Sequence, residues 1–290
     1  MTGPSNNLSI SFELFPPKTE AGVTRLCDNV VQLSAANPEY FSVTYGAGGT
    51  TRERTARMVD LVRNRTGRPV AHHLTCVGAS RAEIDRQVET LWETGIRRIV
   101  ALRGDLPKGE KVPEDGYHDA ADLVAALRRA GAFDISVAAY PEVHPEAASA
   151  GADLDHLKRK LDAGAARAIT QYTFDTDTIL RFVDRARAAG IDAPIVPGIM
   201  PVANFASLKR FSDGCGASIP DWMSQMFDGL DDAPETRAMV ATGVATEQCR
   251  RLIEAGLTEF HFYTLNQPKV SLAVCRTLGL TPDIPAENAA

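Results

Sequence analysis

The sequence predicts an α/β protein folded as a single (β/α)₈ barrel, and three observations support this fold class. Eight short segments rich in β-branched and aromatic residues alternate with amphipathic segments, which is the pattern of a parallel sheet covered by helices. Most successive strands lie about 30 residues apart, the length of one strand–helix–strand unit. The chain has 290 residues, which exceeds a typical single domain but suits a closed barrel of about 250 residues.

The predicted elements follow in chain order. The strands are residues 8–15, 40–46, 70–76, 98–104, 134–141, 167–174, 194–200 and 260–265. The amphipathic segments between them include residues 52–64, 81–94, 120–130, 154–163 and 177–189.

Prolines and chain ends set the limits of this domain. Pro16 and Pro17 end the first strand, because proline lacks the N–H that a strand ladder needs. The long passage 202–259 is predicted to hold an extra helix at 220–226 and a long helix that ends at Gly256. Pro234 is expected at the first position of that long helix, with acids in its first turn. We expect residues 1–7 to be a disordered extension, 8–280 the barrel, and 281–290 a loose tail.

Composition and charge exclude several classes of function. The net charge is −6, so the basic excess typical of nucleic-acid-binding domains is missing. No stretch approaches the ~18 consecutive apolar residues of a membrane helix, and the polar N-terminus does not resemble a signal peptide. Five cysteines without a CxxC pair favour reduced thiols over disulfides or a cysteine zinc site. We therefore expect a cytoplasmic protein that binds neither nucleic acid nor membrane.

Glu13 is an acid inside a segment of strand composition. Strand alternation places it with Ser11 on the face opposite Phe12 and Leu14. Burying an unpaired polar group costs roughly 2–7 kcal/mol, so a buried acid is either paired or used. The alternative is a surface acid on an edge strand.

Five further strands carry polar side chains near their C-terminal ends, where the active sites of such barrels lie. Alternation groups Ser42 with Thr44, His73 with Thr75, and Arg103 with Asp105. Tyr140 ends the fifth strand, and Gln171 lies in the sixth. One polar group on each of six successive strands indicates a site rather than a core built only for stability.

The residue types narrow the chemistry of this site. A metal site from His73, Cys76, His144 and an acid is disfavoured, because adjacent His72 and His73 face opposite ways and no HxH or HExxH spacing occurs. The chain also lacks the GxSxG motif of a serine nucleophile. We expect no metal.

Two short segments fit an anionic cofactor. The glycine-containing loop 46–49 can admit a phosphate or a ring against the backbone, although such runs more often form turns. The basic run 157–160 can pair with a pyrophosphate, although such runs are more often solvated. Together with the carboxylates of Glu13 and Asp105, they are consistent with a bound anionic cofactor and proton-coupled chemistry.

Seven segments of the chain, spread from about residue 9 to 280, resemble the methylenetetrahydrofolate reductase family, in its bacterial form without a regulatory domain. They are SFELFPPKT (11–19), SVTYGA (42–47), HLTC (73–76), IVALRGDLP (99–107), VAAYPEVHPEA (137–147), ITQY (169–172) and FHFYTLN (260–266).

The resemblance implies an FAD-containing TIM barrel that reduces 5,10-methylenetetrahydrofolate to 5-methyltetrahydrofolate with NADH or NADPH, the former being expected. In this family the nicotinamide reduces the flavin and leaves, and the folate takes its place. The folate ring opens to an iminium cation that accepts hydride from the flavin, so the mechanism is ping-pong. The resemblance also implies a homo-oligomer and a role in one-carbon metabolism and methionine synthesis.

The resemblance assigns roles by position. Glu13 matches the general acid that assists ring opening, and Asp105 matches the aspartate that supports the cation. Gln171 and Phe211 match positions that contact the pterin, the nicotinamide or the benzoyl ring, and the alternative for Phe211 is packing inside a helix core. The flavin-contacting positions are Thr44, Tyr45, Ala47, His73, Arg103, Gly104, Asp105, Tyr140, His144, Asp153, His156, Arg159 and Lys160.

Two positions depart from the family pattern. Gln267 stands where the family commonly places an arginine that reaches the folate, and an amide cannot form the same bidentate, charge-assisted pair. Lys269 is a nearby point charge that can substitute. Ser207 stands where some members have glutamine.

The alternatives are another flavin-dependent barrel, such as a proline-dehydrogenase-like enzyme, and a folate- or pterin-binding methyltransferase module without flavin. A barrel that has lost its activity is disfavoured by the intact acid and amide positions.

Overall fold

The computed structural model describes residues 8–45, 52–105, 113–202 and 204–280, in which parallel strands alternate with helices. The strands are β1 (Ser9–Leu14), β2 (Tyr40–Val43), β3 (Val70–Thr75), β4 (Arg98–Leu102), β5 (Asp134–Ala139), β6 (Arg167–Thr170), β7 (Ile195–Val196), β8 (Gly198–Ile199) and β9 (Glu259–Tyr263). The helices are α1 (Glu20–Ser34), α2 (Arg52–Thr66), α3 (Arg81–Glu93), α4 (Ala120–Ala130), α5 (Ala150–Asp162), α6 (Thr176–Ala188), α7 (Phe205–Cys215), α8 (Asp221–Phe227), α9 (Pro234–Glu254) and α10 (Pro268–Thr277).

The sheet closes at Pro197. The strand order is β7-β6-β5-β4-β3-β2-β1-β9-β8, and β7 and β8 are two halves of one strand position separated by this proline. Because proline has no N–H to donate, the ladder is interrupted there, but its carbonyl still accepts from the His261 N–H at 3.0 Å. The predicted (β/α)₈ barrel is therefore confirmed, with its seventh strand in two pieces.

Side chains alternate between two cores, as predicted for the first strand. Phe12 and Leu14 are fully buried between the barrel and its helices, and the Phe12 ring packs against Phe41 and Phe262. A separate small cluster fills the barrel interior and lies beneath the site; it consists of Tyr40, Ala71, Val100, Ile169 and Val196.

Charged residues close the N-terminal end of the barrel. Arg98 pairs with Glu39 at 2.7 Å and with Asp134 at 3.5 Å, and Arg167 pairs with Asp134 at 2.7 Å. These charged side chains pair with one another at the N-terminal ends of the strands. A site is therefore expected at the opposite end of the barrel.

Local signals explain most of the helix boundaries. Pro234 occupies the first turn of α9, as predicted. Helix α5 begins at Ala150, four residues earlier than predicted, because Ser149 caps it by accepting from the Ala152 N–H at 3.1 Å. Helix α7 lies in the long passage 202–259, for which the sequence predicted only two helices, those that correspond to α8 and α9.

No helix within the described ranges is long and apolar enough to cross a membrane, and all five cysteines are free thiols.

Candidate active site

Two adjoining cavities open near the C-terminal ends of the strands. The first, here the mouth cavity, has a volume of about 410 Å³ and lies over the barrel interior. The second, here the lateral cavity, has a volume of about 420 Å³ and lies between the end of β4, the segment after β5, and α5. Leu102, Ala138 and Tyr140 line both cavities, so the two share a wall.

Most of the predicted site residues line one of these cavities. The mouth cavity contains Glu13, Thr44, Tyr45, His73, Tyr140, Gln171 and Phe211. The lateral cavity contains Arg103, Gly104, Asp105, Tyr140, His144, Asp153, His156, Arg159 and Lys160.

Glu13 lies on a central strand, not on an edge. Strand β1 pairs with β2 on one side and with β9 on the other, so the edge-strand alternative is wrong. The Glu13 side chain is 20% exposed, and its Oε2 lies 3.6 Å from both His73 Nε2 and His261 Nε2. Its backbone carbonyl accepts a 2.6 Å hydrogen bond from the Thr264 hydroxyl, which fixes the strand end that presents the acid to the cavity.

His73 is a neutral imidazole facing this acid. Burial lowers the pKa of His73 to about 4, and the Glu13 carboxylate opposes this effect only in part. Its Nε2 atom is buried and makes no hydrogen bond within the described part of the chain. The neighbouring His72 is also buried and lines neither cavity, as the predicted alternation requires. Burial lowers the pKa of His72 to about 4 as well.

Gln171 and Phe211 supply an amide and an exposed ring to the mouth cavity. The Gln171 side-chain oxygen accepts from the Tyr172 N–H at 3.0 Å, an arrangement that orients the amide. Phe211 lies on α7 and is 55% exposed, so its helix-core alternative is wrong. Both side chains are accessible to a flat ligand.

The lateral cavity is lined by cations that acidic residues hold in place. Arg103 pairs with Glu146 at 2.6 Å, and Arg159 pairs with Asp119 at 3.1 Å. Lys160 is buried and donates to the Ala138 carbonyl at 2.5 Å. Burial lowers the pKa of Lys160 to about 8, and Asp153 opposes this effect.

His156 belongs to the same cavity. Its Nε2 atom is buried without a hydrogen bond in the described ranges and lies 3.7 Å from Asp119. Burial also lowers the pKa of the His156 imidazole. The lateral cavity therefore combines cationic and acidic side chains with a ring nitrogen that has no hydrogen bond among the described residues.

The segment after β5 is rigidly held. The Tyr140 and His144 rings meet edge to face with centroids 4.6 Å apart, and the His144 N–H donates to Asp153 at 3.0 Å. Val143 has a φ of 73°, a conformation that is strained for a β-branched residue. Such strain persists only where the surroundings enforce it, and here the contacts of His144 do so.

Gly104 makes the turn that brings Arg103 and Asp105 into the lateral cavity. Its φ is 86°, and a Cβ atom there would lie 2.7 Å from Val77 Cγ1 and 3.0 Å from Thr75 Cβ. Strand β4 ends at Leu102, so this turn, rather than strand alternation, places the two residues in one cavity.

The structure does not unite every predicted site residue. Asp105 lines only the lateral cavity and Glu13 only the mouth cavity. Gln267 is exposed at the start of α10 and lines neither cavity. Ala47 and the glycine loop lie outside the described residues, as do 1–7 and 281–290.

Sequence reasoning missed His261 and Tyr263, which both line the mouth cavity. The signal was available, because these residues alternate with Phe260 and Phe262 in β9 as the polar and apolar residues of β1 do. Within the described residues, no group of three or more His, Cys, Asp or Glu side chains is arranged to hold a metal ion.

Comparisons with known proteins agree on one family. A family model described as methylenetetrahydrofolate reductase matches residues 2–279. A 5,10-methylenetetrahydrofolate reductase of Pectobacterium carotovorum subsp. carotovorum is 51% identical over 96% of this chain and 92% of that relative. The Escherichia coli (strain K12) protein of the same name is 50% identical over 96% of this chain and 93% of that relative.

Solved structures show the same fold at low sequence identity. A Clostridium thermocellum protein described as binding two copies of 5-methyl-5,6,7,8-tetrahydrofolic acid has a TM-score of 0.64 and 13% identity, over 95% of this chain and 94% of that one. This likeness is evidence for the barrel fold alone.

Proposed function

Because the chain belongs to the methylenetetrahydrofolate reductase family, we propose that it reduces 5,10-methylenetetrahydrofolate to 5-methyltetrahydrofolate with electrons that pass from NADH or NADPH through FAD. The observation that supports this best is the pair of joined cavities. Among the described residues, one is lined by three cationic side chains and three carboxylates, and the other holds the Glu13 carboxyl group among aromatic, apolar and imidazole side chains.

The residues present fit a dinucleotide that carries a flat ring system. Each cavity has a buried imidazole nitrogen that makes no hydrogen bond to any described residue, His73 Nε2 in the mouth and His156 Nε2 at the side. Guanidinium and ammonium groups are the usual partners of phosphate oxygens, and three of them are among the described residues that line the lateral cavity. The mouth cavity is mostly apolar and aromatic, as ring-binding sites are.

We assign the two ends of FAD accordingly. Arg103, Arg159 and Lys160 hold the phosphates, and Thr44 and His73 contact the ring system, with Tyr140 at the junction. Bound FAD supplies two-electron transfer between the nicotinamide and the folate.

The two substrates use the same space in turn. The mouth cavity holds one accessible phenyl ring, that of Phe211, and one oriented amide, that of Gln171, and both suit either a nicotinamide or a pterin. A single cavity of this size favours alternate occupancy, which is the ping-pong order.

Glu13 is the proposed general acid. It donates its proton to the ring nitrogen that leaves the one-carbon unit, while the electron pair of the broken C–N bond stays on that nitrogen. A positioned acid contributes about 10²–10⁴-fold to such a step. Asp105 supports the cationic one-carbon unit from the adjoining cavity with its negative charge. The methyl product serves methionine synthesis, and we expect a cytoplasmic homo-oligomer.

The colour of the purified protein tests this proposal. It should be yellow, NADH without oxygen should bleach it, and methylenetetrahydrofolate should restore the colour. Bleaching by proline instead would favour the proline-dehydrogenase-like alternative. A colourless protein that cannot be reconstituted with FAD would contradict the proposal and favour the methyltransferase module.

A further inference from the structure

We propose that Glu142 is a positioning residue that fixes the Phe211 ring over the mouth cavity. Glu142 follows β5 and lines neither cavity. Its two carboxylate oxygens accept hydrogen bonds from two other parts of the chain, Oε1 from the Thr173 hydroxyl at 2.7 Å and Oε2 from the Ser218 N–H at 2.6 Å. This inference rests on the function proposed above, in which both substrates use Phe211.

The order of the barrel brings these three segments together. Strands β5 and β6 are neighbours in the sheet, so the segments that follow them, which carry Glu142 and Thr173, leave the barrel side by side. Ser218 comes three residues after the last residue of α7, Cys215. One carboxylate therefore joins the C-terminal end of α7 to the ends of two neighbouring strands.

The β6 side of this junction is held in place by a further helix. Thr173 is 1% exposed, and its carbonyl accepts a 2.6 Å hydrogen bond from the side-chain amide of Gln248 on α9. Gln248 is buried as well. Buried polar groups depend on protein partners, so Thr173 has a defined position from which it can hold Glu142.

Other contacts hold the last turn of α7 against the same two segments. The Tyr172 hydroxyl oxygen lies 3.1 Å from both Ser212 Oγ and Cys215 Sγ. Gly216 caps α7 with a φ of 71°, and a Cβ atom there would lie 2.8 Å from Pro145 Cγ. The end of the helix therefore packs closely on the segment after β5 as well as on the segment after β6.

Phe211 lies in the turn that these contacts hold. It precedes Cys215 by four residues, which places both side chains on one face of α7, and both line the mouth cavity. The Phe211 side chain is 55% exposed, so its own packing does little to fix the ring. The position of the ring therefore depends on where the end of α7 is held, and Glu142 holds that end.

Removal of the Glu142 carboxylate tests this inference. Glu142→Ala loses both hydrogen bonds, so KM for NADH and for the folate should each rise. Neither increase should exceed the roughly 2–10-fold expected for loss of the aromatic contact itself. The rate of flavin reduction at saturating NADH and the Kd for FAD should match those of wild type. Unchanged KM values would overturn the inference, and so would weaker FAD binding, since it would show that Glu142 serves the lateral cavity.

A conservative variant separates hydrogen bonding from charge. In Glu142→Gln, the amide oxygen can accept from the Ser218 N–H and the NH₂ group can donate to the Thr173 hydroxyl. Wild-type KM values are therefore expected, and an increase as large as that in Glu142→Ala would overturn the inference. Glu247→Ala is the control and should retain both KM values, because Glu247 is exposed on α9 and lines neither cavity.

A double-mutant cycle shows whether Glu142 acts through Phe211. In the Phe211→Ala background, Glu142→Ala should cause no further increase in either KM, because the ring that it positions is already absent. Additive increases would overturn the inference.

Thr173→Val provides the same test if Glu142→Ala fails to fold. It removes one of the two donors to Glu142 and keeps nearly the same side-chain shape. Both KM values should rise less than in Phe211→Ala, and they should not rise further when the two substitutions are combined. Wild-type KM values in Thr173→Val would overturn the inference.

Fluorine NMR of the flavin-loaded protein, labelled with fluorophenylalanine, gives a readout that does not depend on turnover. The resonance that is lost in Phe211→Ala belongs to Phe211. It should shift in Thr173→Val and stay in place in Glu142→Gln, and an unchanged resonance in Thr173→Val would overturn the inference. Failure of the proposed function is a different result, namely a wild-type protein without flavin or without folate turnover.

Discussion

Lys160 Nζ donates a 2.5 Å hydrogen bond to the carbonyl oxygen of Ala138, and this contact joins α5 to the wall that the two cavities share. The lysine is buried and lines the lateral cavity, where we propose that the phosphates of FAD bind. Its charge state should therefore control cofactor binding.

We predict that FAD binding weakens at alkaline pH. Burial lowers the pKa of Lys160 to about 8, so the free protein loses this positive charge above that pH. A bound phosphate requires the charge, and the Kd for FAD should rise by up to about tenfold per pH unit above pH 8. Titration of the apoprotein with FAD measures this, and Lys160→Met should bind weakly with little pH dependence in this range.

Lys158 provides the control for that experiment. It lies on the same helix, lines neither cavity and pairs with Asp162 at 3.2 Å, and its side chain is 42% exposed. Lys158→Met should therefore behave as wild type. The pH dependence of folding stability runs in the opposite direction to that of FAD binding, because the pKa of Lys160 in the folded protein lies below its usual value of 10.5. The unfolded chain binds more protons between these values, so the contribution of Lys160 to stability should rise from pH 8 to 10.5 and be lost as pH falls through 8. A Kd for FAD that is constant across this range would contradict the assignment.

We predict that Gly104→Ala impairs both stability and FAD binding. Its φ of 86° costs a non-glycine residue about 1–2 kcal/mol, and the new methyl group would also lie 2.7 Å from Val77. Gly190→Ala is the control, because Gly190 has a φ of 75° but open space around it. Urea denaturation should show a larger loss for Gly104→Ala, and only that variant should bind FAD less tightly. Equal losses in the two variants would show that the crowding at Gly104 does not matter.

Strand alternation and local signals predicted a large part of the molecule. Glu13, His73 and Gln171 could be placed together because alternation on neighbouring strands is fixed by backbone geometry. The (β/α)₈ order and the position of Pro234 at the start of α9 could also be predicted, because they depend on the alternation of strand and helix patterns and on the preference of proline for the first turn of a helix.

Tertiary packing decided the rest. The two-piece seventh strand depends on how Pro197 meets β9, and the exposure of Phe211 depends on where α7 packs. Arg103 and Asp105 share a cavity through the turn at Gly104, beyond the end of β4. The resemblance predicted Phe211 as a site residue, and only its exposure needed the structure. His261 needed only the alternation argument applied to one more strand.

We predict that Phe211→Ala weakens both substrates without destabilising the fold. Aromatic stacking is worth about 0.5–1.5 kcal/mol, so KM for NADH and for the folate should each rise roughly 2–10-fold. Trp222→Ala is the control, since Trp222 is a 44% exposed aromatic residue on α8 that lines neither cavity. Steady-state kinetics and thermal unfolding of both variants check this. A change in only one KM would contradict shared use of the ring.

We predict that Gln267→Arg improves folate binding. An exposed charge pair contributes about 0.2–1 kcal/mol, so KM for the folate should fall up to about fivefold, and more clearly with a longer glutamate tail. Gln267→Met is the neutral control. Reduction of the flavin by NADH should stay constant in both variants. An unchanged KM in Gln267→Arg would indicate that another cation, such as Lys269, already holds the tail.

The central claim is that Glu13 is the acid of the folate half-reaction, and the most direct test is stopped-flow measurement of both half-reactions in Glu13→Gln. The amide keeps the shape of the side chain but cannot donate the proton. Flavin reduction by NADH should proceed at the wild-type rate, while reoxidation by methylenetetrahydrofolate should slow by about 10²-fold or more. Equal losses in the two half-reactions would contradict the claim and indicate a structural role for Glu13.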